Sequence, residues 1–119
     1  MGNLNSFSDL IVWQKSHQLV LTAYKLVAKY PKFEEFGLSS QTKRCVVSIP
    51  SNIAEGFKRK SNKDSLHFYN IAEGSLEEAR YQLLLAKDLE YINKSEHDHI
   101  AALCDEVGKL LYKWMESQK

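Results

Sequence analysis

The sequence predicts an all-α protein that folds as an antiparallel up-down-up-down four-helix bundle. Three segments carry apolar residues at alternating spacings of three and four, the pattern of a helix that packs along one side. A fourth segment is less regular, and every linker is short, so consecutive helices should be antiparallel neighbours. With 119 residues, 44% hydrophobic and 26% charged, the chain fits a single globular domain spanning residues 1–119.

The first helix is predicted over about residues 9–29. Asp9, or Ser8 before it, can cap its start, and Pro31 stops its end. We expect His17, which falls on the apolar stripe, to be a core or interface histidine. The predicted stripe consists of Leu10, Trp13, His17, Val20, Tyr24 and Val27.

The second helix is predicted over about residues 38–57 and contains Pro50. A proline inside a helix removes one backbone hydrogen bond and clashes with the preceding turn, so we expect a kink there. We expect Gly56 to loosen the last turn. The apolar face consists of Val46, Ile49, Ile53 and Phe57.

The third and fourth helices are predicted over about residues 62–91 and 96–116. Ser61 or Asn62 can cap the third helix, and Ser95 with Asp98 three residues later resembles a capping box for the fourth. The third stripe consists of Tyr69, Ala72, Leu76, Ala79, Leu83 and Ala86, and the fourth of Ile100, Leu103, Val107, Leu110 and Trp114.

The pentapeptide Asn-Ile-Ala-Glu-Gly occurs twice, at residues 52–56 and at 70–74. The predicted topology places the two copies almost side by side, about 5 Å apart along the bundle axis. Their polar side chains could then form one layer that fixes the register of the two helices. A mid-helix glycine costs roughly 1 kcal/mol relative to alanine, so we expect another helix or another subunit to approach Gly74 closely. The predicted polar layer or interface comprises Asn52, Glu55, Gly56, Asn70, Glu73 and Gly74.

The net charge of +1 is unevenly distributed along the chain. Residues 1–63 hold ten Lys and Arg against four Asp and Glu, a net +6, whereas residues 64–119 hold six against eleven, a net −5. This asymmetry favours self-association or a localised polyanion site and argues against a generic nucleic-acid coat protein.

A candidate nucleic-acid site lies between residues 43 and 63, where six basic residues face one acid, Glu55. Phe57, Phe68 and Tyr69 are the nearest aromatic residues, so bases could stack beside phosphate contacts. The alternative is a solvated turn whose cations favour a helix C-terminus. The predicted nucleic-acid-binding residues are Lys43, Arg44, Lys58, Arg59, Lys60 and Lys63.

Catalytic and metal motifs are not indicated by the sequence. Residues 64–67 and 96–99 approximate the Glu-x-x-His spacing of di-iron bundles, but they begin antiparallel helices and should lie at opposite ends. Cys45 and Cys104 lie in apolar segments without a neighbouring base, so we predict buried, reduced thiols. A P-loop, a dinucleotide fingerprint and zinc-ligand spacing are all missing. We therefore expect no enzyme activity, metal, cofactor or small-molecule substrate.

The chain is expected to be cytoplasmic and to have no membrane partner. No run approaches eighteen consecutive apolar residues, and the start lacks the pattern of an export signal. Residues 1–6 match an N-myristoylation pattern, but one acyl chain without a polybasic neighbour anchors a protein poorly.

Four blocks of sequence resemble the four-helix-bundle proteins encoded in intervening sequences of bacterial 23S ribosomal RNA genes. They are Phe-Ser-Asp-Leu-Ile-Val-Trp-Gln at 7–14, Leu-Ser-Ser-Gln at 38–41 with Arg44, Ser-Ile-Pro-Ser-Asn-Ile-Ala-Glu-Gly at 48–56, and Ile-Ala-Glu-Gly-Ser at 71–75 with Glu78. The resemblance implies a bacterial, non-catalytic bundle that assembles into a homo-oligomeric ring, pentameric in known relatives. More distantly, the chain resembles the accessory variability protein of diversity-generating retroelements, which binds nucleic acid and a reverse transcriptase.

Two functions follow from these observations. The first is an oligomeric, RNA-associated protein whose basic residues contact phosphates, with the contacts repeated around a ring. The alternative is a protein–protein adaptor or scaffold without direct nucleic-acid binding, whose acidic second half docks on a neighbouring copy or on a basic partner.

Overall fold

Four α-helices make up the bundle: α1 (Ile11–Val27), α2 (Leu38–Lys58), α3 (Asn62–Asp88) and α4 (Lys94–Ser117). Short 3₁₀ turns at Phe7–Asp9 and Lys32–Glu34 precede α1 and α2. The computed structural model describes residues 4–119, and this range contains no β-strand. The predicted all-α class is confirmed. Residues 1–3, which begin the predicted myristoylation pattern, lie outside the described range.

The helices occupy the corners of a square. Contacts join α1 to α2, α2 to α3, α3 to α4 and α4 back to α1, so that α1 lies diagonally opposite α3. Ser48 meets Ser75, whereas Gly56, later in α2, meets Tyr69, earlier in α3. This order makes α2 and α3 antiparallel. The predicted four-helix bundle is therefore present, with overall dimensions of 44 × 25 × 20 Å.

The predicted core stripe of α3 is confirmed, since all six of its residues are buried. The predicted face of α2 is also largely correct, because Val46, Ile49 and Ile53 are buried and Phe57 is partly buried. α2 continues through Pro50 and ends at Lys58, one residue beyond the predicted end. The kink expected at Pro50 stays a prediction.

The predicted core stripe of α1 is correct at its two ends, where Leu10 and Val27 are buried, and wrong by about one residue between them, a rotation of about 100°. Trp13 and Val20 are only partly buried, and His17 and Tyr24 are exposed. Small residues in the stripe that does face the core allow α1 to pack closely, and the Ser16 hydroxyl is satisfied by donating to the Trp13 carbonyl at 2.8 Å. The stripe that faces the core consists of Val12, Ser16, Leu19, Ala23, Leu26 and Val27.

The predicted stripe of α4 is correct at Ile100 and Val107 and shifted by one residue elsewhere. The most buried residues are Ile100, Cys104, Val107, Leu111 and Met115, whereas Leu103, Leu110 and Trp114 are partly buried around them. Because α4 is apolar at both sets of positions, periodicity alone does not select the inner one.

Helix caps agree with the sequence analysis at α3 and differ at α1 and α4. The Ser61 hydroxyl accepts a hydrogen bond from the Asp64 amide at 3.1 Å, as predicted for the start of α3. The α4 cap is Asn93, which forms a reciprocal capping box with Glu96, so the predicted box at Ser95 is wrong. The Asp9 carboxylate accepts the Asn5 and Ser6 amides at the start of the 3₁₀ turn, and α1 begins two residues after Asp9.

Gly56 is where α2 and α3 approach most closely in the repeated pentapeptide. A Cβ atom at this position would lie 2.5 Å from the Tyr69 ring and 3.0 Å from the Ser65 carbonyl oxygen. Gly74, the matching glycine of the second copy, has no atom within 4 Å of a Cβ position among residues 4–119. The two copies of the pentapeptide therefore place their glycines in two different environments.

We predict that Gly56→Ala and Gly74→Ala change stability in opposite directions. At Gly56 the added methyl group overpacks the interface with Tyr69 and should lower the free energy of unfolding by about 1–3 kcal/mol. At Gly74 alanine meets open space and should raise it by roughly 0.5–1 kcal/mol through helix propensity. Urea denaturation, at a dilution where all three proteins have the native mass of a single chain, measures both effects. Equal effects of the two substitutions would contradict the packing described.

Candidate nucleic-acid interface

The turn between α2 and α3 places basic side chains at one end of the bundle. α2 ends at Lys58 and α3 begins at Asn62, so only Arg59, Lys60 and Ser61 connect the two helices. The lysines at 58, 60 and 63 are exposed. None of the three forms an ion pair with any residue from 4 to 119.

Arg59, in contrast, is held by two contacts. Its guanidinium forms an ion pair with Glu55 one turn earlier, and it lies 4.5 Å from the centre of the Phe68 ring. A cation over an aromatic face is attracted by the ring quadrupole. Arg59 is thus fixed in orientation, whereas the neighbouring lysines are free to follow a ligand.

The structure separates Lys43 and Arg44 from the turn. They lie about 21 Å before Lys58 along α2, at 1.5 Å per residue. The Lys43 ammonium lies 5.6 Å from the Tyr24 ring centre, on the side facing α1. Arg44 is exposed and contacts Ser40 at 3.4 Å. The six predicted residues therefore form a cluster of four at the turn and a separate pair near the other end.

The repeated pentapeptides do not form a shared polar layer within the described chain. Asn52 donates to the carbonyl and the hydroxyl of Ser48 at 2.8 and 3.0 Å, and Glu55 pairs with Arg59. Asn70 is exposed, and Glu73 makes no side-chain hydrogen bond to residues 4–119. Because neither Asn70 nor Glu73 hydrogen-bonds to α2 within residues 4–119, the two copies share no polar layer. The other predicted role of this set, an interface with another copy, stays a prediction.

Two serines outside the pentapeptides provide the polar contact between α2 and α3. The hydroxyls of Ser48 and Ser75 lie 2.8 Å apart, and the Cys45 thiol donates to the Ser75 carbonyl at 3.0 Å. Ser48 also accepts from Asn52, which links the first pentapeptide to the pair. The sequence analysis missed these serines, although Ser75 directly follows the second pentapeptide and offered a signal.

Both cysteine thiols are buried and free, as predicted. Burial raises the pKa of Cys45 to about 12, with a further contribution from the Glu78 carboxylate. Burial likewise raises the pKa of Cys104 to about 11. Because the thiolate is the nucleophile, both groups are in the unreactive form at neutral pH.

No group of three or more His, Cys, Asp and Glu within residues 4–119 is arranged to hold a metal ion. Over the same range, no helix combines the length and apolarity needed to cross a bilayer.

Comparison with known proteins decides the family. A family model described as "23S rRNA-intervening sequence protein" matches residues 8–113, almost the whole chain. The chain belongs to the 23S rRNA-intervening sequence protein family. The resemblance predicted from the sequence blocks is thus confirmed, and the α2–α3 turn lies inside the matched region.

A solved structure supports the same fold for this family member. It comes from Bacteroides thetaiotaomicron VPI-5482 and is described as a protein with unknown function from the S23 ribosomal protein family. It is 30% identical to this chain, with a TM-score of 0.79, over 88% of this chain and 98% of its own. No curated protein matches the chain.

We predict that Cys45 and Cys104 are protected from alkylation in the folded protein. Their raised pKa values and burial should slow reaction with iodoacetamide at pH 8 roughly 100-fold relative to the chain unfolded in urea. Mass spectrometry of quenched samples measures the rates. A thiol that reacts equally fast in both states would contradict the buried, protonated assignment.

Proposed function

We propose that this protein is a non-catalytic homo-oligomer that associates with RNA through the α2–α3 turn. The observation that carries the proposal is the set of three exposed lysines without ion-pair partners in residues 4–119, at positions 58, 60 and 63. Lysines in this state can replace the counterions of a phosphate backbone without first breaking a protein ion pair. The family description, which refers to intervening sequences of 23S rRNA, supports ribosomal RNA as the ligand.

The position of Lys63 argues against a merely solvated turn. Lys58 lies in the last turn of α2, where a cation favours the helix dipole. Lys63 lies in the first turn of α3, where the same dipole disfavours a cation. A purely local role therefore accounts for Lys58 and not for Lys63, whereas an anionic ligand at the turn accounts for both.

Arg59 and Phe68 supply a second kind of contact. An unpaired base can stack on an aromatic ring or on a guanidinium plane, and such stacking tolerates different base identities. Because Arg59 already lies 4.5 Å from the Phe68 ring centre, the two present a preformed edge beside the lysines. This arrangement suits single-stranded or looped RNA better than a continuous duplex.

Assembly of several copies would strengthen a weak contact. Each copy would present one turn, and engaging a second turn on the same RNA is intramolecular once the first is bound. A pentameric ring is the state that the family resemblance implies. Neither cysteine offers a thiolate nucleophile at neutral pH, because burial raises the pKa of both thiols.

One observation favours the alternative of a protein–protein adaptor or scaffold without direct RNA binding. Phe33 and Phe36, on the linker between α1 and α2, are 79% and 91% exposed. Exposed aromatic side chains are common anchors of protein interfaces. They lie at the opposite end of the bundle from the basic turn, so the two candidate surfaces can be tested separately.

We predict that replacing Lys58, Lys60 and Lys63 together by glutamine weakens binding to structured 23S rRNA fragments. Loss of three phosphate contacts should reduce the slope of log affinity against log salt by about 2–3. Filter binding at several salt concentrations measures it. The matched control replaces three lysines on other faces, Lys25, Lys87 and Lys109, and should leave most of the affinity and slope intact.

Two results would contradict the RNA assignment. One is an absence of binding at low salt by the wild-type protein, and the other is an equal loss in the turn variant and its control. In either case, polypeptides that co-purify after nuclease treatment, and that are lost with Phe36→Ser, would support the adaptor alternative instead.

A further inference from the structure

α1 carries a second apolar stripe beside the one that faces the core, and two of its residues, Trp13 and Val20, also pack partly against the core. Trp13, His17, Val20 and Tyr24 follow one another at spacings of four, three and four residues. We name this set the aromatic ridge. Trp13 and Val20 are partly buried, and Tyr24 is 44% exposed. This spacing is that of a coiled-coil seam, whose side chains insert between the residues of a facing helix.

The aromatic ridge is ordered by its own contacts and lies on the outer side of the α1–α2 pair. The rings of Trp13 and His17 stack with centres 5.1 Å apart, and Phe7 packs edge-on against Trp13 at 5.0 Å. Lys43 of α2 lies beside Tyr24. A preformed apolar surface of this kind loses little side-chain entropy when a partner covers it.

A complementary surface lies on the outer side of the α2–α3 pair. Gly74 is in the middle of α3, and a Cβ atom there would meet nothing within 4 Å in residues 4–119. Ile71 beside it is 41% exposed. A mid-helix glycine costs stability, and no contact in the described chain requires it. We name Ile71, Gly74, Ser75 and Glu78 the glycine face.

The two surfaces lie at the same level along the bundle axis. Tyr24 is level with Lys43, and Ser48 is level with Ser75, through their direct contacts. Lys43 and Ser48 are five residues apart, about 7.5 Å along a helix. Moving the same distance along α1 from Tyr24 leads to Leu19, next to Val20, so Val20 and Gly74 lie within about 3 Å of each other in height.

The two surfaces also carry opposite charges. Glu78 lines a surface groove together with Arg44 and Cys45, which places it near the level of Lys43. The Lys43 ammonium lies beside the aromatic ridge and the Glu78 carboxylate lies on the glycine face, and neither forms an ion pair within residues 4–119. Surfaces of opposite charge favour docking of one copy on the next.

The position of the two surfaces decides the kind of assembly. They occupy adjacent sides of the helical square, which share α2 and face roughly perpendicular directions. Contact between two different surfaces is heterologous, and it closes a ring when each step turns the next copy by a constant angle. Adjacent sides provide that turn, whereas opposite sides would produce an open filament.

We propose that the aromatic ridge of one copy packs on the glycine face of the next, with Val20 against Gly74 and Lys43 near Glu78. This inference rests on the homo-oligomer of the proposed function and identifies the surfaces that form it. The absence of a side chain at Gly74 lets the bulky ridge approach the α3 backbone. Lys43 then belongs to the subunit interface, which leaves the α2–α3 turn as the RNA contact.

Gly74→Leu tests the glycine face directly. Because the position is open in the single chain, leucine should leave the fold and helical circular dichroism intact while it blocks the ridge. Native mass spectrometry should show a shift from the oligomer to the mass of one chain. The matched control, Lys109→Leu on exposed α4 surface, should keep the wild-type mass.

A charge exchange tests the pairing of the two surfaces. Lys43→Glu or Glu78→Lys alone should raise the protein concentration at which the oligomer dissociates by at least about tenfold. The double variant should bring that concentration most of the way back to the wild-type value. If the Gly74→Leu variant keeps the native mass of the wild-type oligomer, the pairing of the aromatic ridge with the glycine face is overturned, whereas oligomerisation itself stands. The same conclusion follows if the variant loses RNA binding while its native mass is unchanged. A wild-type protein that stays monomeric at all concentrations would instead overturn the homo-oligomer itself.

Discussion

The close approach of α2 and α3 at Gly56 is the constraint on which the rest of the structure depends. The Tyr69 ring and the Ser65 carbonyl occupy the space that any larger side chain would fill. Because the helices meet so closely near their ends, three residues suffice to connect them. The Ser48–Ser75 contact sets their register farther along. A short turn between closely packed helices keeps its lysines at the surface, with their charges concentrated at one end of the bundle.

The fold could be predicted because size and periodicity favour one architecture. On α3, the six apolar residues at helical spacing define one face of the helix, and all six are buried. α1 offered two stripes, and the larger side chains of Trp13 and Tyr24 favoured the wrong one. Tertiary packing selected the stripe with Ser16 and Ala23, since small residues allow closer helix contact. Such a choice depends on the neighbouring helices and is not contained in the periodicity of one segment.

The candidate site was predicted in composition and not in its internal contacts. A run of cations between two helices indicates an exposed basic turn, but the sequence does not show that Arg59 pairs with Glu55 while its neighbours remain without ion pairs in residues 4–119. The repeated pentapeptide illustrates the same limit. Gly56 and Gly74 follow the same four residues, yet one lies against an aromatic ring and the other faces open space, because the environment depends on which side of the helix meets the bundle.

In the proposed assembly, the aromatic ridge and the glycine face form the contact between copies, so RNA should meet every copy at the α2–α3 turn. Ultraviolet cross-linking of bound 23S rRNA, followed by mass spectrometry of the modified peptides, tests this most directly. We expect adducts in the segment around the turn, at Phe68 or Arg59, and their loss at high salt. Adducts confined to the opposite end, around Phe33 and Phe36, or a complete absence of adducts at low salt, would contradict the assignment.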